Sequence, residues 1–130
     1  MPFYKISEMP KRFIEMGAAE QQTVAGELMK AGMVTYQVGG GPPPHFHPNE
    51  EQFVLVVSGK ANMILGEEVR TIGPGDLVHI PRNARHGIRV VEAPYIFFTV
   101  KSPAGDGSLN QDYNRDKGAE SMRRRLQAHR

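Results

Sequence analysis

From Thr35 onward the chain is cut into short runs of β-forming residues, TYQV, EQFVLVVS, ANMIL, VRTI, LVHI, RHGIRVV and YIFFTV. Between them stand the turn-forming pieces GGGPPP, GK, GEE, GPGD, PRN and EAP. Short runs at this spacing, punctuated by glycine and proline and with no helical apolar stripe between them, predict an all-β sandwich or barrel. A fold of alternating strands and helices is disfavoured for the same reason. At 130 residues the chain has the size of one domain. Residues 35–102 form the expected barrel core. Residues 1–34 are an N-terminal segment packing on it, and residues 103–130 an extension that is basic at its end.

The two ends are less constrained. EMPKRFIEM reads as a helical turn and AGELMKAGMVTYQV as a hairpin turned at Ala31-Gly32. After Gly118 the residues AESMRRRLQA favour a short helix, but its thin apolar content suits a frayed, solvated terminus, with packing across a dimer as the rival.

Composition narrows the chemistry. With 39% apolar and 23% charged residues the chain is expected to fold. It has no cysteine, so a metal would have to be held by imidazole and oxygen or amide donors, and a reducing cytoplasm is a compatible setting. The longest purely apolar run, residues 53–57, is far too short for a bilayer, and no membrane partner is expected. Residues 1–110 carry 10 Lys+Arg against 11 Asp+Glu, and residues 111–130 carry 6 against 3. The basic excess therefore belongs to the tail, which argues against a nucleic-acid partner.

The stretch HFHPNEEQF, residues 45–53, holds His45 and His47 one residue apart, followed by Glu50, Glu51 and Gln52. On an extended strand His45 and His47 project from one face. That is half of a metal site, or simply two exposed histidines beside a loop.

Two longer patterns contain this stretch. The first is Gly39, five residues, His45-Phe46-His47, four residues, Gln52, six residues, Gly59; the second is Gly75, five residues, Pro81, Arg82, Asn83, two residues, His86. In this order they resemble the two motifs of the cupin family, with Gln52 where the family has glutamate, Asn83 where it has glycine and Val90 where it has asparagine. The resemblance implies a single-domain jelly-roll β-barrel. It also implies one divalent transition metal, Zn, Ni, Fe or Mn, held by His45, His47, Gln52 and His86. Counting back from Gly59, the family's inward ligand position falls on Gln52, with Val54, Val56 and Ser58 on the same face. Glu51 then points out with Phe53, Leu55 and Val57, unless a bulge swings it inward as the alternative ligand. Glu50 reads as a surface loop residue.

Other polar residues could line such a cavity. Tyr36, His79 and Arg85 are the candidate acid/base or anchoring groups, with Asn62 beside them, although each also has a structural reading. Single-domain cupins of this length include ones that ketonise unsaturated uronates. The resemblance thus implies a lyase or isomerase acting on a small oxygenated molecule through stabilisation of an enolate-like state. An Fe(II) dioxygenase and a non-catalytic cupin that binds a sugar or other small ligand are the alternatives. The outward apolar row Phe53, Leu55 and Val57 points to a homodimer.

Overall fold

The computed structural model of the protein describes residues 2–15 and 17–129. After a 3-10 turn at Ile6–Glu8 come strands β1 (Arg12–Ile14), β2 (Ala19–Ala25), β3 (Lys30–Tyr36), β4 (His45–Phe46), β5 (Glu51–Leu65), β6 (Glu68–Ile72), β7 (Leu77–Ile80), β8 (His86–Ser102) and β9 (Asn114–Arg115). An α-helix, α1 (Ala119–Ala128), follows. All the strand pairings are antiparallel, and the fold is an all-β jelly roll.

Two long strands organise it. β5 and β8 pair from Glu51↔Ser102 to Leu65↔His86, with register shifts between Val56 and Ala61. EQFVLVVS and ANMIL are thus one bent strand rather than two, as are RHGIRVV and YIFFTV. The bend of β5 falls at Gly59, where φ is +75°. A Cβ there would lie 2.3 Å from the Pro94 carbonyl oxygen and 2.5 Å from that of Glu92, so only glycine fits. At its far end β8 takes β3 as a neighbour, and β3 takes β2.

The expected hairpin turn at Ala31-Gly32 is corrected. Both residues lie inside β3, and the β2–β3 hairpin turns between Ala25 and Lys30. Gly32 marks a close approach instead: a Cβ there would lie 2.7 Å from Leu109 Cδ1 and 2.8 Å from the Gln22 carbonyl oxygen. Met29, expected in a strand, sits in that turn and is exposed, whereas Met63 is buried in β5. EMPKRFIEM supplies the end of the 3-10 turn and the short β1.

Alternation along the strands sorts the side chains. Val54, Val56, Tyr95, Phe97, Val34 and Tyr36 point into one core, while Phe53, Leu55, Val57 and Leu77 remain exposed. The C-terminal extension is no frayed terminus. Met122 and Leu126 of α1 are buried with Ile64 against the outside of β5, and Asn62 Nδ2 donates to the carbonyl oxygens of Leu126 (3.2 Å) and His129 (3.1 Å). Those carbonyls belong to the end of the helix, where partners are otherwise lacking. Asn62 is therefore a helix anchor. Arg85 completes the clamp through Asp116 (2.9 Å) and Glu67 (3.3 Å).

Candidate metal centre

His45 on β4 lies directly opposite His86, the first residue of β8. His47 follows just beyond β4, where its carbonyl oxygen accepts from the Asn83 backbone N–H (2.9 Å) in the turn that leads into β8. Asn83 has φ +68°, the left-handed conformation that asparagine tolerates better than most residues. Pairing and turn together bring three imidazoles to one point. Their ring centroids lie 4.4 Å (His45–His86), 4.8 Å (His45–His47) and 5.1 Å (His47–His86) apart, and one nitrogen of each lies within 4.8 Å of the others.

Each ring is oriented through Nδ1. His45 bonds the Pro43 carbonyl oxygen (2.8 Å), His47 that of Asp112 (3.1 Å) and His86 that of Ala84 (2.9 Å). A carbonyl can only accept, so each Nδ1 carries the proton and each Nε2 keeps its lone pair. Backbone partners of this kind are what fix the tautomer of metal-binding histidines. Burial, with positive neighbours adding to it, lowers the pKa of His45 to about 2, of His47 to about 3 and of His86 to about 4. The cluster is neutral at neutral pH, the state a metal requires.

Gln52 sits on the inward face of β5 and lines the same cavity. Its Nε2 donates to Thr99 Oγ1 (2.8 Å), which in turn donates to the Phe53 carbonyl oxygen (2.8 Å). That chain fixes the amide and leaves the buried Oε1 without a hydrogen-bond partner. A buried carbonyl oxygen left in this way calls for an explanation such as an ion. Three imidazole nitrogens and one amide oxygen, all neutral, fit a divalent transition metal well. Glu51 points the other way. Its carboxylate meets His79 Nε2 (2.6 Å) on the outer surface, where the His79 ring stacks on Phe53. The register shifts of β5 fall beyond Val56, so no bulge turns Glu51 inward.

The other candidates separate. Tyr36 lines the cavity, and burial raises its pKa well above the ordinary tyrosine value. His79 and Arg85 do not reach it: His79 is outside with Glu51, and Arg85 holds the C-terminal segment. Glu50 is corrected from a surface residue to a buried one, 3% exposed. It accepts from Lys30 Nζ at 2.6 Å, and Lys30 is itself fully buried. His47, Glu50 and Asp112 also offer nearby ligand atoms. There, however, Glu50 is paired with Lys30, and both carboxylate oxygens of Asp112 accept from Asn49 (2.6 and 2.9 Å).

Three contributors escaped the sequence reading. Lys101 lies on the inward row of β8 with Tyr95, Phe97 and Thr99; burial lowers its pKa to about 8. Lys30 occupies the matching row of β3. Alternation counted back from these apolar residues would have placed both lysines inside. The Tyr113 ring lies 4.4 Å from that of His45, tilted by 31°, and its hydroxyl donates to the Pro43 carbonyl oxygen (3.1 Å), but it arrives on an irregular loop that no motif announces.

The site is thus a buried three-histidine cluster beside a cavity of about 90 Å³, walled by apolar side chains such as Val34, Val54, Ile80 and Phe97. A small antiparallel barrel with a metal-ready interior is the class of protein these features define. The Cupin domain family model matches residues 32–100, and the chain belongs to the cupin family. Among solved structures it is similar to KdgF from Halomonas sp., at 27% identity over 79% of this chain and 94% of that one, with a TM-score of 0.73. An RmlC-like cupin from Shewanella frigidimarina is 19% identical over 81% of this chain and 93% of that one, with a TM-score of 0.70. An oxalate decarboxylase variant from Bacillus subtilis is 21% identical; the match covers 85% of this chain and 31% of that one, with a TM-score of 0.70. No curated protein matches the chain in sequence. Among the described residues, no helix is long and apolar enough to cross a membrane.

Proposed function

We propose that the protein is a metal-dependent cupin enzyme of lyase or isomerase type acting on a small oxygenated molecule. The observation that carries this reading is the neutral donor set: three imidazoles with Nε2 free and the unpartnered Oε1 of Gln52, gathered at an apolar-walled cavity. With no carboxylate among the donors, a bound dication would keep its full charge and act as a strong Lewis acid toward a ligand oxygen. The chain supplies the rest. The Pro43, Asp112 and Ala84 carbonyls hold the imidazoles in place, Thr99 turns the Gln52 amide, and the apolar walls exclude water. Tyr36 keeps its proton and can offer an O–H to the ligand.

The test is metal analysis of purified protein combined with oxygen uptake on candidate substrates. The proposal expects a bound metal and turnover without oxygen consumption. Iron with oxygen consumption would point to a dioxygenase, and protein that takes up no metal would point to a binding module.

We also propose that two copies associate through the outer face of β5 and β7. Phe53, Leu55 and Leu77 are 42%, 40% and 64% exposed there, a contiguous apolar row on paired strands. Light scattering at micromolar concentration is expected to give the mass of a dimer, and the mass of a monomer would contradict it.

A further inference from the structure

We propose that Lys101 recognises the charge of the ligand and that the ligand is a small carboxylate, seated between this ammonium group and the histidine cluster. The inference rests on the cavity being a ligand site, as in the function proposed above, and adds the chemical class of what enters it.

The argument starts from where the charges lie. Among the described residues lining the cavity there is no aspartate or glutamate, and the one side chain with a formal charge is Lys101. It is 5% exposed, so its charge is not met by bulk water. Its Nζ donates to the Leu109 carbonyl oxygen at 2.5 Å, and an ammonium group has three N–H donors. Glu50 is the obvious counter-ion but is shared. Its Oε2 accepts from Lys30 at 2.6 Å, while its Oε1 makes only a longer ion pair with Lys101 Nζ at 3.8 Å, beyond hydrogen-bond distance. Lys30 is fixed in turn by the Ser108 carbonyl oxygen at 2.6 Å. Two buried lysines thus share one buried carboxylate. Asp112, the other acid nearby, is bound to Asn49 and is no part of the cavity lining.

A buried cation that lacks a full partner is costly, and an entering anion would relieve that cost. The space favours a small molecule with a single charge: about 90 Å³, with apolar walls and one lysine. A carboxylate fits, since one oxygen can accept from Lys101 while the body of the molecule faces the histidines. The Lys30–Glu50 pair would act as a positioning device, keeping the ammonium group at the wall while offsetting only part of its charge.

The experiment compares pyruvate with its uncharged methyl ester as probes, by amide NMR titration near neutral pH, in metal-free and zinc-loaded protein. In the metal-free protein, where no metal charge contributes, pyruvate is expected to bind about tenfold or more tightly than the ester. Lys101→Met is expected to abolish that preference while leaving zinc content and melting temperature close to those of the parent. Equal binding of the two probes by the metal-free parent, no binding of either, or a preference that survives in a folded Lys101→Met variant would each overturn the assignment. If Lys101→Met fails to fold, the comparison within the metal-free parent still decides. Failure of the metal reading would look different, as a parent protein that takes up no zinc yet still prefers pyruvate.

Discussion

His86→Ala is expected to lose most of its bound metal, with affinity falling by more than ~100-fold, since deleting a donor should cost more than the 10–100-fold typical of losing a residue that merely supports one. His86 is the proposed donor that β8 brings across to His45, and its loss leaves two imidazoles on the β4 segment and the Gln52 amide. The neighbouring structure should survive, because the Asn83–His47 backbone bond and the β5–β8 ladder do not pass through the imidazole. Metal content per chain after dialysis, with a melting curve as control, checks this, and full retention of metal would remove His86 from the site. The same variant series carries a pH dependence. From the ordinary histidine pKa alone, affinity would fall below about pH 6. Burial moves that point down, because the folded cluster resists protonation until about pH 4, the value for His86, with His47 and His45 lower still. Protons should therefore compete with metal for the folded parent only in that lower range.

Much of this site was legible in the sequence because spacing along strands translates directly into facing. The interval from Gln52 to Gly59 gave the inward face of β5, since alternation fixes facing once the bend at Gly59 is located. What alternation could not show is where a strand continues through a kink. Gly59-Lys60 reads locally as a turn, yet Lys60 pairs with Glu92 across the sheet. Gly32 misled for a related reason, being read as a turn residue when the close approach of the Gln22 carbonyl oxygen required the missing Cβ. Glu50, Lys30 and Lys101 were missed because a charged residue is normally placed at the surface. Alternation shows which way such a residue faces but not what it meets, and Lys30 meets partners 20 and 78 residues away. The tail was underestimated because its apolar content is low. Two residues, Met122 and Leu126, were enough once Asn62 and Arg85 supplied polar anchors.

The second large effect concerns the amide donor. Gln52→Glu is expected to tighten metal binding by about tenfold or more, since a carboxylate adds a negative charge to an otherwise neutral set. The same charge would weaken the ion as a Lewis acid, so turnover should fall even as metal content rises. Thr99 contributes to the contrast: its hydroxyl now accepts from Gln52 Nε2 while donating to Phe53, and a carboxylate at position 52 offers no N–H to it. A variant that bound metal more tightly and also worked faster would contradict the proposed role of the neutral donor.

His45, His47, His86 and Gln52, rather than any carboxylate of the NEEQ segment, are the proposed metal ligands. Bound metal per chain, measured side by side for the parent, Gln52→Ala and Glu51→Ala after equilibration at one limiting metal concentration, tests this assignment most directly. Glu51 faces outward against His79, so Glu51→Ala should match the parent, while Gln52→Ala should lose a substantial share of its metal. Metal lost from Glu51→Ala and kept by Gln52→Ala would contradict the account.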